Sequence, residues 1–259
     1  MTGKTQRKNS IIDLPDKGII DFIKDIVHPT ICAACGKISP GYLCSHCLSG
    51  IIPIDINKCC PYCGRPLPLA GVKMSGHSNE MTSSTDGRSG KESICSLCRQ
   101  EELNFTRHRS YTLYSGDMKK IIKKFKYKKV YGLDNVLAGF LLKTYKKYFS
   151  GESVDYIEAV PGEHTKKLAE RFAKIVKIPF KGNIIKIRDT RRQSGLDLGA
   201  RRTNILDAFK LKDCLVYRNK DILIIDDVWT TGSTLKEICR IVRQCGASKV
   251  FLLTLARGA

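Results

Sequence analysis

Past Arg109 the chain alternates short apolar runs with stretches in which apolar residues return every three or four positions. DMKKIIKKFKYKK places Met118, Ile121, Ile122 and Phe125 on one side and lysines on the rest, which predicts a helix. DYIEAV, residues 155–160, predicts a strand ending at Pro161-Gly162, and HTKKLAERFAKIVK a helix with Leu168, Phe172 and Ile175 inward. DILII, residues 221–225, is β-branched and too apolar to be half exposed, so it predicts a buried strand. STLKEICRIVRQCG then predicts a helix with Leu235, Ile238, Cys239 and Val242 inward and Gly246 as its stop. Strand, turn and helix in repetition predict an α/β fold, a mostly parallel sheet with helices on its faces.

That pattern places Asp226 and Asp227 at the carboxyl end of a strand, the edge of an open parallel sheet where ligands bind. Thr230, Thr231, Gly232, Ser233 and Thr234 form the turn into the helix, presenting hydroxyls, backbone N–H groups and the positive end of a helix dipole. An anion belongs in that turn. A sugar phosphate suits both halves: phosphate on the turn, and vicinal ribose hydroxyls, or a magnesium ion chelated by them, on the two aspartates. The plainer alternative, in which the acids cap a turn and the threonines start a helix, leaves two adjacent carboxylates repelling each other without a partner.

Before Arg109 the apolar periodicity fades and cysteines take over. Four C-x-x-C pairs stand at Cys32/Cys35, Cys44/Cys47, Cys60/Cys63 and Cys95/Cys98. The first and third are followed by glycine, which lets the backbone turn and aim its N–H groups at the sulfurs. Four thiolates at about 2.3 Å fill a tetrahedral zinc site and leave no open position, so two structural zinc ions are expected. The simplest assignment is one ion on the first four cysteines and one on the last four, with a crossed pairing of the same eight left open. A redox-active pair would need a thioredoxin-like setting around a single C-x-x-C. Cys59 is either an alternative ligand or a bystander, and His46 a surface residue. Cys214, Cys239 and Cys245 fall on apolar patterns and are expected in the core. The polar, Gly- and Ser-rich segment over 66–92 is expected to be a disordered loop, and metal binding to close the module around it.

The chain has 45 Lys+Arg against 25 Asp+Glu, a net +20 that favours a polyanionic partner. Lys119, Lys120, Lys123, Lys124, Lys126 and Lys128 are the candidates, with Tyr127 or Tyr131 able to stack on bases; a solvated helix flank is the alternative. No apolar run reaches the roughly 18 residues of a membrane span, and the start leads into a short amphipathic stretch, so a cytoplasmic protein is expected.

ILIIDDVWTTGST closely resembles the phosphoribosyl pyrophosphate (PRPP) binding motif of type I phosphoribosyltransferases, and QSGLDLGARRTNILDAF, residues 193–209, resembles a string of the ComF family, the late competence proteins. The order of the apolar start, the double C-x-x-C module, the Lys-Phe-Lys-Tyr helix and the PRPP loop is similar to that family along nearly the whole chain. The resemblance implies an amphipathic helix over 1–30, a double zinc-binding module over 31–105 and a type I phosphoribosyltransferase-like domain over 110–259. It implies that Asp226 and Asp227, the candidate catalytic pair, take the ribose hydroxyls of PRPP with magnesium, and that Thr230, Thr231, Gly232 and Thr234 take its 5-phosphate. Gln193, Arg201 and Asn204 match family positions without a derivable role. It further implies a role in DNA uptake, single-stranded DNA as a ligand and a competence helicase as a partner. One departure stands out: the family's Arg-Gly-Phe-Asn-Gln loop after Val-Pro is missing, and Val160-Pro161 runs straight into GEHTKKLAERF. Two function classes follow, a binding protein that keeps the PRPP cradle and grips nucleic acid, and an active phosphoribosyltransferase.

Overall fold

The structure is a computed structural model that describes residues 30–67, 94–128, 130, 132–188 and 207–258. The helix expected over 1–30 and most of the 66–92 loop lie outside the described residues, as do Tyr131, Gln193, Arg201 and Asn204. Two short helices, α1 (Ser45–Ser49) and α2 (Ser96–Gln100), lie in the cysteine-rich part. After them come β1 (Arg107–Leu113), α3 (Gly116–Tyr127), α4 (Leu133–Tyr148), β2 (Tyr156–Ala159) and α5 (Glu163–Val176). The chain continues through β3 (Ile184–Lys186), β4 (Phe209–Leu211), β5 (Asp221–Trp229), α6 (Ser233–Gln244) and β6 (Lys249–Arg257).

Among the described residues four strands form one sheet in the order β1-β6-β5-β2, every neighbouring pair parallel, while β3 and β4 make a separate antiparallel ribbon. The period of two along β5 and β6 divides the core. Leu223, Ile225, Phe251 and Leu253 face α3, α4 and α5, whereas Ile222, Ile224, Val250 and Leu252 face α6 and the β4 region. Both faces are covered, which is why these strands read as continuous apolar runs. Helix α6 buries Leu235, Ile238, Cys239 and Val242, the expected stripe.

Three expectations change. Strand β5 does not stop at Ile225 but runs to Trp229, because β6 is equally long and pairs with it through Trp229 and Arg257. Ile175 is 41% exposed, since at the end of α5 the apolar stripe shifts to Val176 and Ile178. Cys239 is a core thiol as expected, but Cys214 and Cys245 are joined in a disulfide: the turn before Lys220 and the end of α6 bring their Cα atoms to 5.2 Å.

The cysteine-rich part is packed onto the sheet domain. Cys32, Cys47 and Ile51 join the core of the α3–α5 face, and Cys60, Cys63, Cys95 and Phe105 join that of the α6 face. The segment between them covers the outer edge of β1, with Ile54 N–H donating to Tyr111 O (2.9 Å), Thr112 Oγ1 to Ile52 O (2.6 Å) and His108 N–H to Tyr62 O (2.8 Å). A sheet edge that would otherwise offer unpaired backbone groups is thereby satisfied. Among the described residues no helix is long and apolar enough to cross a membrane.

Glu158 on β2 is fully buried. Burial pushes its carboxyl above the usual range, opposed by the Tyr217 hydroxyl and the Asn183 amide, both of which donate to it. Tyr217→Phe leaves that buried acceptor short of a donor, and chemical denaturation is expected to show a loss of about 1–3 kcal/mol.

Candidate ligand site and metal centres

The eight cysteines gather as two groups, Cys32/Cys35/Cys44/Cys47 and Cys60/Cys63/Cys95/Cys98, with the sulfurs of each group all within 4.8 Å of one another. That resolves the pairing in favour of first four and last four. Sulfur separations of 3.9 Å for Cys35 to Cys44 and 3.7 Å for Cys63 to Cys95 match the roughly 3.8 Å that tetrahedral zinc with 2.3 Å bonds requires. Gly36 and Gly64 have φ of +80° and +65°, the left-handed turn expected of each knuckle. Burial raises the Cys32 thiol, yet backbone N–H groups of the knuckle more than offset it and bring it down to about 6; Cys60 falls to about 7 in the same way. Cys47 and Cys98 are pushed up, by burial first and then by neighbouring cysteines, so the full set of thiolates needs a cation among them. The chain thus carries two closed four-cysteine sites fitted to structural zinc. Cys59 donates its thiol to Asp55 O (3.1 Å) and belongs to neither group, and His46 is exposed.

At the carboxyl end of β5 the two acids diverge, as successive residues of a strand must. Asp226 is half-buried and accepts the Asp227 N–H at 2.8 Å. Burial, and then the charge of Asp227, hold its carboxyl well above the usual range. Asp227 is 3% exposed, and its oxygens are gripped separately: Lys126 Nζ lies 2.9 Å from Oδ1 and His164 Nε2 lies 2.8 Å from Oδ2. Burial alone would raise Asp227, but the His164 hydrogen bond and the Lys126 charge outweigh it and hold the carboxyl below the usual range.

The turn follows directly. Thr230 is exposed, Thr231, Ser233 and Thr234 are half-buried, and Gly232 at φ +77° is the residue from which α6 starts. Thr231 Oγ1 lies 2.9 Å from Ser233 Oγ, so two hydroxyls stand together at the opening of the helix. Asp226, Asp227 and the Thr230–Thr234 turn are therefore contiguous, two carboxylates beside a helix N-terminus, an arrangement able to hold a phosphate and a polyol at once.

Lys119, Lys120, Lys123 and Lys128 of the lysine set are exposed and Lys124 is half-buried, while Lys120 pairs with Asp117 at 2.9 Å. Lys126 departs from the expected outward face because it stands one turn beyond Ile122, on the inward stripe of α3. Tyr127 is 80% exposed. Sequence reasoning missed His164 as a site residue, although it opens the helix directly after Val160-Pro161-Gly162. It also missed a buried polar group behind the turn: His108 Nδ1 lies 2.8 Å from Cys63 O and its Nε2 lies 3.0 Å from Thr254 Oγ1, and Arg257 donates to the same Cys63 carbonyl. Nothing local in the sequence marks it, since its members are scattered from Cys63 to Arg257.

Comparison with known proteins agrees with this architecture. The Phosphoribosyl transferase domain family matches residues 166–259 and the Double zinc ribbon domain family residues 23–79. The second match ends before Cys95 and Cys98, which the structure adds to the second zinc site. Competence protein F of Haemophilus influenzae is 27% identical over 237 residues, 85% of this chain and 92% of that protein. Competence protein ComFC of Streptococcus pneumoniae is 26% identical over 165 residues, 63% of this chain and 73% of the relative. DNA utilization protein YhgH of Escherichia coli O157:H7 is 38% identical over 74 residues, 29% of this chain and 32% of the relative.

Metal analysis is expected to find two zinc equivalents in the wild type. Cys59→Ser keeps both, and Cys60→Ser loses one.

Proposed function

This chain belongs to the ComF family, competence-related proteins with a phosphoribosyltransferase domain and a double zinc ribbon, and from that premise we propose that it binds PRPP or a related ribose 5-phosphate ligand together with single-stranded DNA. The observation that carries the first half is the pair Asp226-Asp227 set beside the Thr230–Thr234 turn at the start of α6. The turn takes the 5-phosphate through N–H groups and hydroxyls, and the acids take the ribose hydroxyls. Asp226 and Asp227 are the residues that would hold magnesium brought in with the ligand, and the ion would supply charge neutralisation at the diphosphate. Two carboxylates at the same strand end suit a hard cation of that kind.

For the second half, the exposed lysines of α3 and the protruding Tyr127 form a cationic strip with an aromatic beside it, which suits a phosphate backbone and an unpaired base. The net +20 has the same sign. The relatives' names, competence and DNA utilization, point to taking up or using DNA, and we place this chain in that process, in the cytoplasm beside a helicase.

The second reading, an active phosphoribosyltransferase, is favoured by one specific feature. Lys126 supplies positive charge and His164 a hydrogen-bonding ring nitrogen beside Asp227, where the family's arginine-bearing loop is missing. Charge placed in advance near a departing diphosphate is what such a transfer needs.

Calorimetry with PRPP and Mg²⁺ is expected to give saturable binding in the wild type and none in Asp226→Asn/Asp227→Asn. Wild type that binds neither PRPP nor ribose 5-phosphate would refute the cradle. For the DNA half, oligo-dT affinity is expected to fall linearly on a log–log plot against salt, with the slope smaller by about 0.7 for each of Lys123→Ala and Lys128→Ala. A flat salt dependence would rule out phosphate contacts.

A further inference from the structure

Trp229 is the chain's only tryptophan and stands between the second zinc site and the ligand turn. It is 3% exposed. His108 stacks on the indole with ring centroids 4.3 Å apart, Phe105 meets it edge-on at 5.7 Å, and the Arg257 guanidinium lies 5.5 Å from the ring centroid. On its other side the ring is pressed against Gly232: a Cβ there would come within 2.3 Å of the indole carbon Cζ2. Gly232 is the residue at φ +77° from which α6 starts, so the placing of the indole and the placing of the phosphate turn are one packing problem.

The opposite end of this chain of contacts is a zinc ligand. Arg257 Nη1 and His108 Nδ1 both bond to the Cys63 carbonyl, and Arg257 Nη2 lies 3.8 Å from Cys63 Sγ. His108 is in turn fixed through Nε2 by Thr254 at 3.0 Å and Ser110 at 3.2 Å. From zinc ligand to turn there are two steps, Cys63 to Arg257 and His108, then Trp229 to Gly232. The first cysteine group has its surroundings elsewhere, in the core of the α3–α5 face.

We propose that Arg257, His108 and Trp229 are positioning residues that couple the two sites: metal on Cys60, Cys63, Cys95 and Cys98 fixes the Cys63 knuckle, and the knuckle fixes Trp229 against the Gly232 turn. The second zinc site is thus part of the ligand site, while the first serves the opposite face. The ligand half of this statement rests on the sugar phosphate reading of the turn; the metal half does not.

Tryptophan fluorescence tests it, because Trp229 is the chain's only tryptophan and can be excited selectively at wavelengths where the tyrosines do not absorb. The full chain is used as wild type, Cys98→Ser, Cys35→Ser and Arg257→Lys, each assayed for zinc, emission and PRPP·Mg²⁺ binding. Cys98→Ser is expected to lose one zinc equivalent, to shift its emission to the red and to bind PRPP at least about tenfold more weakly, the low end of what loss of a supporting contact around a metal does. Cys35→Ser also loses one equivalent but keeps the wild-type emission and affinity. Arg257→Lys retains the cysteine ligands and the charge but not the forked contact, so it shifts emission and weakens PRPP in the same direction. This third variant answers for any misfolding of the cysteine variants. Equal emission changes in Cys98→Ser and Cys35→Ser, or wild-type behaviour of Arg257→Lys, would overturn the coupling. If wild type binds no PRPP, the sugar phosphate reading falls, and the emission comparison alone still decides whether the second metal site governs the turn.

Discussion

Burial of β5 and β6 on both faces is the constraint from which the site follows. From Ile222 to Ile225 and from Val250 to Leu253 every side chain lies in a core, so these strands have no room for an unpaired charge. The first acids of β5 past its continuous buried stretch come at Asp226 and Asp227. Even there Asp227 is almost wholly enclosed, and a buried carboxylate persists only if it is paired. The fold answers with one partner from each of two elements, the Lys126 ammonium from α3 and the His164 ring from α5. The charged groups at this end of the sheet are therefore consequences of how completely the middle of the sheet is filled.

The same closeness explains how the zinc ribbons belong to the molecule. Each four-cysteine group contributes buried residues to a different face of the sheet, and the segment joining them covers the edge of β1. A ribbon held only by its metal would be free to swing. Here the second knuckle is also held by Arg257 and His108, groups that sit deep enough to need the acceptors that Cys63 supplies. Metal, edge strand and buried polar residues thus satisfy one another, and none of the three is independent of the rest.

What could be read in advance divides along physical lines. Periodicity placed α3, β2, α5, β5 and α6, because core faces leave a repeating mark in a single stretch of chain, and C-x-x-C spacing gave the eight thiols. Their pairing was read as the simplest assignment, first four and last four, but a crossed one stayed open, since a tetrahedral site constrains distance in space and not order in sequence; the Cys214–Cys245 bond was not legible at all. The strip from Ile222 to Thr234 was legible because strand, acids, turn and helix are consecutive. Lys126 and His164 were not assigned to it, because they arrive from other helices, and an inward lysine looks the same in sequence as an outward one. The end of β5 was placed too early for a related reason. Two acids and a valine mark a strand end in an isolated segment, but pairing with β6 extends the ladder through them.

The grip on Asp227 also bears on what can occupy the site. Both of its oxygens are already engaged, and its carboxyl lies below the usual range because histidine and lysine together outweigh the cost of burial. A ligand that took Asp227 away from Lys126 and His164 and offered only neutral hydroxyls would leave a buried carboxylate unpaired, a loss of about 3–5 kcal/mol when one partner of a buried ion pair is removed. Two ribose hydroxyl bonds to a charged acceptor, at about 1.5–3 kcal/mol each, barely offset that. A free sugar therefore gains little here. A ligand bearing its own anionic groups changes the balance for Lys126, which then moves from one negative partner to another, and leaves Asp227 as the group still to be paired. A ligand that also brings a cation restores the pairing of Asp227 itself. For the sugar phosphate ligand proposed above, the enclosed Asp227 and its two partners thus favour a charged ligand over a neutral sugar.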